Sequence, residues 1–421
     1  MELSKAQKEI VDSTSKKIIV DAGSGSGKTR VLTERVRKIL NSRTDPRSVV
    51  VITFTNMAAN ELKERLSEIK GSEQCFIGTI HSYANSLLKD SGLDYEIFSE
   101  EYQTMFMKQL IEKYGYYSTF SDYELFLKCD KQVAAGRMSK NEVRQKFSDY
   151  KVYDEILALL GRSDNKSVKE TVVTLCKENN IITFDELIEL ATDYFKRSKI
   201  KLEYLFVDEL QDIGYLEYNF LLGLNAENYF VIGDDFQSIF GFKGGDVNIF
   251  LSLMHSDDWQ SYFLSENYRT AKSILLYANA IISKADNIIK KDVVCKNENI
   301  GSLEFNAKSL VDKFLGDLKE DDDWFILTRS NKEMNLIDAM LTKAGKEHYC
   351  FKQSTTSQKK VKEILSKPCI KVMTIHASKG MECENVALYG KLPVKGTGDS
   401  EELKVYYVGI TRSKNRCVIF V

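Results

Sequence analysis

At 421 residues, with 43% hydrophobic and 29% charged side chains, the chain has room for two or three domains and an ordinary globular composition. No stretch approaches the ~18 apolar residues of a membrane helix, the N-terminus up to Val20 lacks a basic-then-apolar secretory pattern, and a net charge of −2 leaves any nucleic-acid binding to a local groove; the expected place is the cytoplasm, beside the nucleoid, with no membrane partner. The cysteines stand singly (Cys75, Cys129, Cys176, Cys295, Cys350, Cys369, Cys383, Cys417) and the histidines (His81, His255, His348, His376) show no ligand spacing, which excludes a disulfide framework and argues against a bound transition metal.

Short β-branched runs recur along the chain: Lys17–Val20, Val49–Thr53, Tyr204–Val207, Tyr229–Ile232, Trp324–Leu327, Ile370–Thr374, Asn385–Tyr389 and Cys417–Val421. Such unbroken apolar runs predict strands of parallel sheets covered on both faces. Helical periodicity follows many of them, over Thr29–Leu40, Met57–Ile69, Thr270–Ala285 and Asn331–Ala344, so the fold class is α/β. From 92 to 182 the strand runs cease and helical periods rich in Tyr, Phe, Leu, Glu and Lys take over, which predicts a helical insertion. The expected plan is a first lobe over 1–91 and 183–264, the insertion over 92–182, and a second lobe over 265–421. Three prolines and the absence of a Gly/Ser tract leave no obvious linker.

The sharpest local signal follows the first strand. Ala22-Gly23-Ser24-Gly25-Ser26-Gly27-Lys28-Thr29, running on into Arg30, fits an A-x-x-x-x-G-K-T phosphate loop, in which glycines let backbone N–H groups face phosphate oxygens and the next helix adds its positive end. Lys28 is placed to bridge the β- and γ-phosphates and the Thr29 hydroxyl to hold Mg²⁺. A second strand ends in Asp208-Glu209, which supplies a carboxylate for Mg²⁺ (Asp208) and a general base for water (Glu209). That pairing suits an ATP hydrolase more than a phosphate-loop kinase.

Further on, Val207-Asp208-Glu209-Leu210-Gln211-Asp212 and Gly233-Asp234-Asp235-Phe236-Gln237-Ser238-Ile239-Phe240 resemble motifs of the superfamily-one DNA helicases of the UvrD/Rep/PcrA type. Leu3-Ser4-Lys5-Ala6-Gln7 is similar to the family's glutamine motif, Ile52 to Ala59 to motif Ia, and Gly78 to Ser82 to motif Ib. Leu264 to Thr270 resembles motif IV, Met373 to Glu382 motif V, and Tyr407 to Lys414 motif VI. The resemblance spans nearly the whole chain in order. It implies two RecA-like motor lobes, a 1B-type helical insertion in the first, ATP and Mg²⁺ as cofactors, and 3′→5′ movement on single-stranded DNA and at its junctions with duplex. It further implies that Gln7 reads adenine, Tyr268 stacks on it, Glu382 meets the ribose, Gln237 senses the γ-phosphate, and Arg269 and Arg412 steady the charge of the transition state. Carried over the same way, Phe54, Thr55, Asn56, His81, Phe240, Phe242, Lys243, Thr374 and His376 line the DNA strand.

Some features depart from the family pattern. Phe240-Gly241-Phe242-Lys243-Gly244 stands where an aromatic, Arg, Trp, Arg, Gly run is usual, which predicts weaker stacking and loss of a bidentate contact. Ile213-Gly214 stands where Thr-Asn is common. Tyr349–Lys367 passes straight toward motif V where relatives carry a large second insertion, so that subdomain is expected to be absent or minimal, and a compact motor is expected. The basic stretch Lys131, Arg137, Lys140, Arg144, Lys146 and Lys151 reads as a solvated helix face or as a contact to duplex phosphates. The rival function is a DNA-stimulated ATPase that remodels or senses DNA within a repair, replication or phage-defence complex.

Overall fold

The computed structural model describes residues 2–89, 91–98, 180–319, 322–351, 358–390 and 400–421. The basic stretch and most of the expected insertion fall in 99–179, outside these residues. The chain forms two compact units, residues 1–83 with 198–421, and residues 84–197. In the second, Glu96–Ile97 pairs in parallel with Ile181–Ile182, and the helix Phe184–Arg197 opens on Thr183, whose backbone N–H and hydroxyl both donate to Glu186.

The larger unit holds two six-stranded sheets, all of whose pairings are parallel. In the first, β1 (Lys17–Ala22), β2 (Val49–Ile52), β3 (Phe76–Gly78), β4 (Tyr204–Val207), β5 (Asn228–Gly233) and β6 (Gln260–Leu264) lie in the order β3-β2-β4-β5-β1-β6. In the second, β7 (Ser302–Asn306), β8 (Trp324–Thr328), β9 (His348–Cys350), β10 (Ile370–Thr374), β11 (Cys383–Tyr389) and β12 (Ser413–Phe420) lie in the order β7-β12-β11-β8-β10-β9. Inner strands such as β2, β8 and β10 are buried along their whole length, as sheets covered on both faces require. The chain order of strand, helix, parallel strand makes both sheets RecA-like α/β layers.

Helix α1 (Lys5–Asp12) starts on a capping box in which Gln7 Oε1 accepts the N–H of Ser4 and Ser4 Oγ accepts that of Gln7. Helix α2 (Lys28–Leu40) follows β1 through the glycine loop, and α3 (Asn56–Leu66) follows β2 with the Thr55 hydroxyl as its cap. The core of the second sheet takes in the turn after β5: Phe236, Ile239 and Phe240 pack with the helices Lys272–Ile282 and Ser400–Ile410 and with β8, β10, β11 and β12, while the strands of the first sheet pack in a core of their own. The periodic segments end slightly earlier than predicted, at Leu66, Ile282 and Lys343. Between β8 and β10 run the helix Asn331–Lys343, the edge strand β9 and the helix Gln358–Leu365, with six residues, 352–357, outside description. Among the described residues no helix is long and apolar enough to cross a membrane.

Candidate nucleotide and DNA site

The glycine loop is shaped by its neighbours. Gly25 and Gly27 have φ of 68° and 84°, a region open to glycine at little cost, and Gly27 caps α2, so that Lys28, Thr29 and Arg30 form the first helical turn. Ala22 is buried at the end of β1. Gly23 N donates to Leu264 O at 2.9 Å, Asn267 Nδ2 to Ser24 O at 2.6 Å, Tyr268 N to Gly25 O at 3.0 Å and Gln7 Nε2 to Ser26 O at 2.9 Å. Gln7 therefore serves the helix cap and the loop at once. The loop opens on a cleft of about 790 Å³, whose lining includes Lys28, Glu209, Gln237, Tyr268, Glu382 and Arg412.

Opposite the loop stand the acids after β4. Lys28 Nζ lies 3.1 Å from Glu209 Oε1. Burial opposes the charge of both, but Glu209 raises the Lys28 pKa, with Asp234 and Asp208 helping, and Lys28 and Lys379 hold Glu209 down at about 2. Asp208 is buried and accepts the Glu209 N–H at 2.9 Å; burial and the Glu209 charge push its pKa up to about 7. A divalent cation beside it would favour the ionised form. One carboxylate and the Thr29 hydroxyl make a hard-oxygen set suited to Mg²⁺, which commonly takes its remaining ligands from water and substrate phosphates.

Glu209 has a left-handed backbone, φ 54° and ψ 40°. Among the described residues the other non-glycine positions with positive φ are Asn180, Asn225 and Asn287, of a type that tolerates this region. The turn aims the carboxylate into the cleft, where Gln211 Nε2 donates to Glu209 Oε2 at 2.5 Å.

Arg412 is 1% exposed and donates from Nη2 to Gln237 Oε1 at 3.0 Å, from Nε to Val408 O and from Nη1 to Met381 O. Burial and then Arg269 press its pKa downward, yet arginine keeps its proton across the accessible range. Arg269 donates to Ser24 Oγ and to Thr411 O, and its Nη1 lies 3.6 Å from Glu382. Gln237 donates to Asp234 Oδ2 at 2.5 Å. Tyr268 is 41% exposed, with its hydroxyl donating to Glu266, and Glu382 also pairs with Lys414 at 2.9 Å.

The residues expected near DNA form a ring cluster at their centre. Phe54 stacks on Phe240 with centroids 5.1 Å apart, and Phe242 meets Phe240 at 6.1 Å and His376 at 5.4 Å. Phe242 is 66% exposed, whereas Phe240 is 9% exposed and belongs to the core of the second sheet. Thr55 and Asn56 open α3, Thr374 ends β10 and caps the next turn through the Ala377 N–H, and His81 lies in the first turn of the helix Ile80–Lys89. Lys243 ends the 3-10 turn Gly241–Lys243.

Some residues of the site were not singled out by sequence reasoning. Lys379, within the Ser378-Lys379-Gly380 run, bonds Asp212 and Gln237 O, lies 3.8 Å from Glu209 Oε2 and sits 5.1 Å over the Phe240 ring. Gln211 ties Glu209 to the backbone N–H of Asp234. Lys291 carries no local signal at all, because its partners are Asp21, Asp234 and Asp235, far away in sequence.

A glycine loop before a helix, an acid pair after the next-but-one strand of the sheet and Arg412 directly before β12 of a second parallel sheet define a phosphate-loop nucleotide protein with two RecA-like lobes. Its sequence matches the UvrD/REP helicase N-terminal domain over residues 3–257 and the UvrD-like helicase C-terminal domain over 350–421. The chain belongs to the UvrD/REP helicase family. It is similar to a probable DNA helicase of Mycoplasma pneumoniae, 27% identical over 98% of this chain and 82% of that protein. It is also similar to the ATP-dependent DNA helicase Rep of Buchnera aphidicola, 28% identical over 80% of this chain and 53% of the relative, and to PcrA of Staphylococcus aureus, 26% identical over 86% and 52%. The chain thus spans about half the length of the Rep and PcrA relatives.

Proposed function

We propose that the chain is an ATP-dependent DNA helicase motor that moves 3′→5′ on single-stranded DNA and coordinates Mg²⁺ through Thr29 and Asp208. One observation carries the reading: Gln237, in the nucleotide cleft, and Phe240, under the exposed ring of Phe242, lie on one short turn that Lys379 clasps from the second lobe. A change at the γ-phosphate is therefore three residues from Phe240, which supports the base platform, and five from Phe242 itself.

In this reading N–H groups of the loop after Gly23 and of the first turn of α2 cradle the phosphates. The γ-phosphate competes with Glu209 for Lys28, which frees Glu209 to take a proton from the attacking water. Thr29 and Asp208 would hold Mg²⁺, which would supply charge neutralisation at the phosphates. Arg412 and Arg269, from the second lobe's side of the cleft, stabilise the charge that builds on the transferring group. Gln7 and Tyr268 flank the base, and Glu382 faces the ribose once its pairing to Lys414 loosens. Phe54 and Phe240 support Phe242, while Thr55, Asn56, His81, Lys243, Thr374 and His376 offer donors along the strand. The first lobe is taken as 1–91 and 183–264, the 1B-type insertion as 92–182 and the second lobe as 265–421, with the strand and its duplex junctions as partners.

A DNA-stimulated ATPase acting within a larger complex is the second reading. It is favoured by the short path from β8 to β10, which leaves no span for a further subdomain within 329–369. Steady-state ATP hydrolysis with and without single-stranded DNA, beside separation of a 3′-tailed duplex, decides between them. Stimulation with strand separation supports the helicase, stimulation alone supports the second reading, and no stimulation refutes both.

A further inference from the structure

Lys291 lies in the segment joining the helix Lys272–Ile282 to the second sheet, and its ammonium is buried in the first lobe. Nζ donates to Asp21 Oδ1, to Asp234 Oδ1 at 2.8 Å and to Asp235 Oδ1 at 2.7 Å, and sits 4.1 Å over the ring of Phe236. The side chain is 4% exposed and those of the three aspartates 0%. The same segment is fixed again where Ile289 N donates to Asp235 Oδ2 at 2.5 Å and Asn279 Nδ2 to Val293 O at 2.9 Å. Val293 also packs near the phosphate loop, where a Cβ on Gly23 would meet its Cγ2 at 3.4 Å.

Two lines of contact run from this ammonium to the reacting groups. Asp21 immediately precedes Ala22 and the loop. Asp234 gives its other oxygen to Gln237 Nε2, and Gln237 Oε1 accepts Arg412 Nη2. Without a cation at its centre, Asp234 would be a buried carboxylate among two others, and such groups take up protons or water. A protonated or rotated Asp234 would no longer hold the amide of Gln237 in one orientation, and the acceptor that orients Arg412 would swing with it.

We propose that Lys291 is a positioning residue for ATP hydrolysis, setting Gln237 and Arg412 through Asp234 and the base of the phosphate loop through Asp21. This rests on the nucleotide-site reading above. The chemical group recognised is internal: a tethered ammonium stands among three carboxylates that lie close enough together to hold a metal ion.

The test compares wild type, Lys291→Met, and Lys291→Met combined with Asp21→Asn, which removes a surplus negative charge along with the cation. For each, kcat and KM for ATP in the presence of single-stranded DNA are measured together with the thermal midpoint. In both variants kcat should fall by roughly tenfold to a hundredfold, the scale of a small misplacement of reacting groups, while KM moves by less than about threefold. The combined variant should regain thermal stability lost by Lys291→Met without regaining kcat. Recovery of kcat along with stability, an unchanged kcat in either variant, or failure of the combined variant to fold would assign Lys291 to stability alone and overturn the proposal. An inactive wild type would instead refute the nucleotide-site reading.

Discussion

Phe242 and Phe240 are neighbours in one ring cluster, yet truncating each should have opposite consequences. Phe242 is 66% exposed, so about a third of its surface is buried against its neighbours. A fully buried Phe is worth about 1.5–3 kcal/mol, which makes Phe242→Ala cost the fold roughly 0.5–1 kcal/mol. If bases stack on that ring, the same change should weaken single-strand binding by about 1–3 kcal/mol, or roughly 5- to 150-fold in Kd. Phe240, 9% exposed and stacked on Phe54, should reverse the balance: its loss opens a cavity in the core where the turn after β5 meets the second sheet, at about 3–5 kcal/mol. Fluorescence anisotropy of a labelled oligothymidylate at fixed salt, paired with urea unfolding, separates the two quantities. A Phe242→Ala protein that binds the oligonucleotide as tightly as wild type would refute the platform.

Arg412→Ala should lower kcat by about 10³-fold or more if its guanidinium steadies the transferring phosphoryl group, with a much smaller effect on ATP affinity measured by equilibrium titration; equal losses in both would deny it that role. Glu209→Gln should abolish turnover while ATP still binds, as single-turnover and binding assays would show. Asp21 carries a pKa raised to about 7 by burial, against the pull of Lys291 and with Asp235 and Asp234 adding to the rise. A carboxyl that holds its proton more tightly when folded loses stability as pH climbs from about 4 towards 7, so Asp21→Asn should gain on wild type over that interval in urea melts, and a constant difference between pH 5 and pH 8 would contradict the assignment. Ser330→Ala removes the hydroxyl of a complete capping box with Glu333 and should cost about 1 kcal/mol in the same melts.

The strands legible in the sequence are the inner ones of both sheets. β1, β2, β4, β5, β8, β10, β11 and β12 are covered on two faces and read as apolar runs. The strands of these two sheets that were not foreseen, β3, β6, β7 and β9, are their four edges. Gln260–Leu264 and Ser302–Asn306 are largely exposed or half-buried, so they carry polar residues and no run announces them. The site divides in a similar way. Loop glycines and the Asp208-Glu209 pair are local in sequence and thus readable, and the arginines could be placed by resemblance. Lys291 could not be, since Asp21 lies 270 positions away and only the folded chain brings the charges together.

The left-handed turn at Glu209 bears on how this protein can change. Holding an L-residue there costs about 1–2 kcal/mol, and glycine or asparagine would relieve most of it. With Glu209 as the proposed general base, selection for heat resistance alone would be drawn to a position where the gain extinguishes hydrolysis. On that reading, a glycine at this turn in a related chain would mark a motor that has given up hydrolysis and become a scaffold.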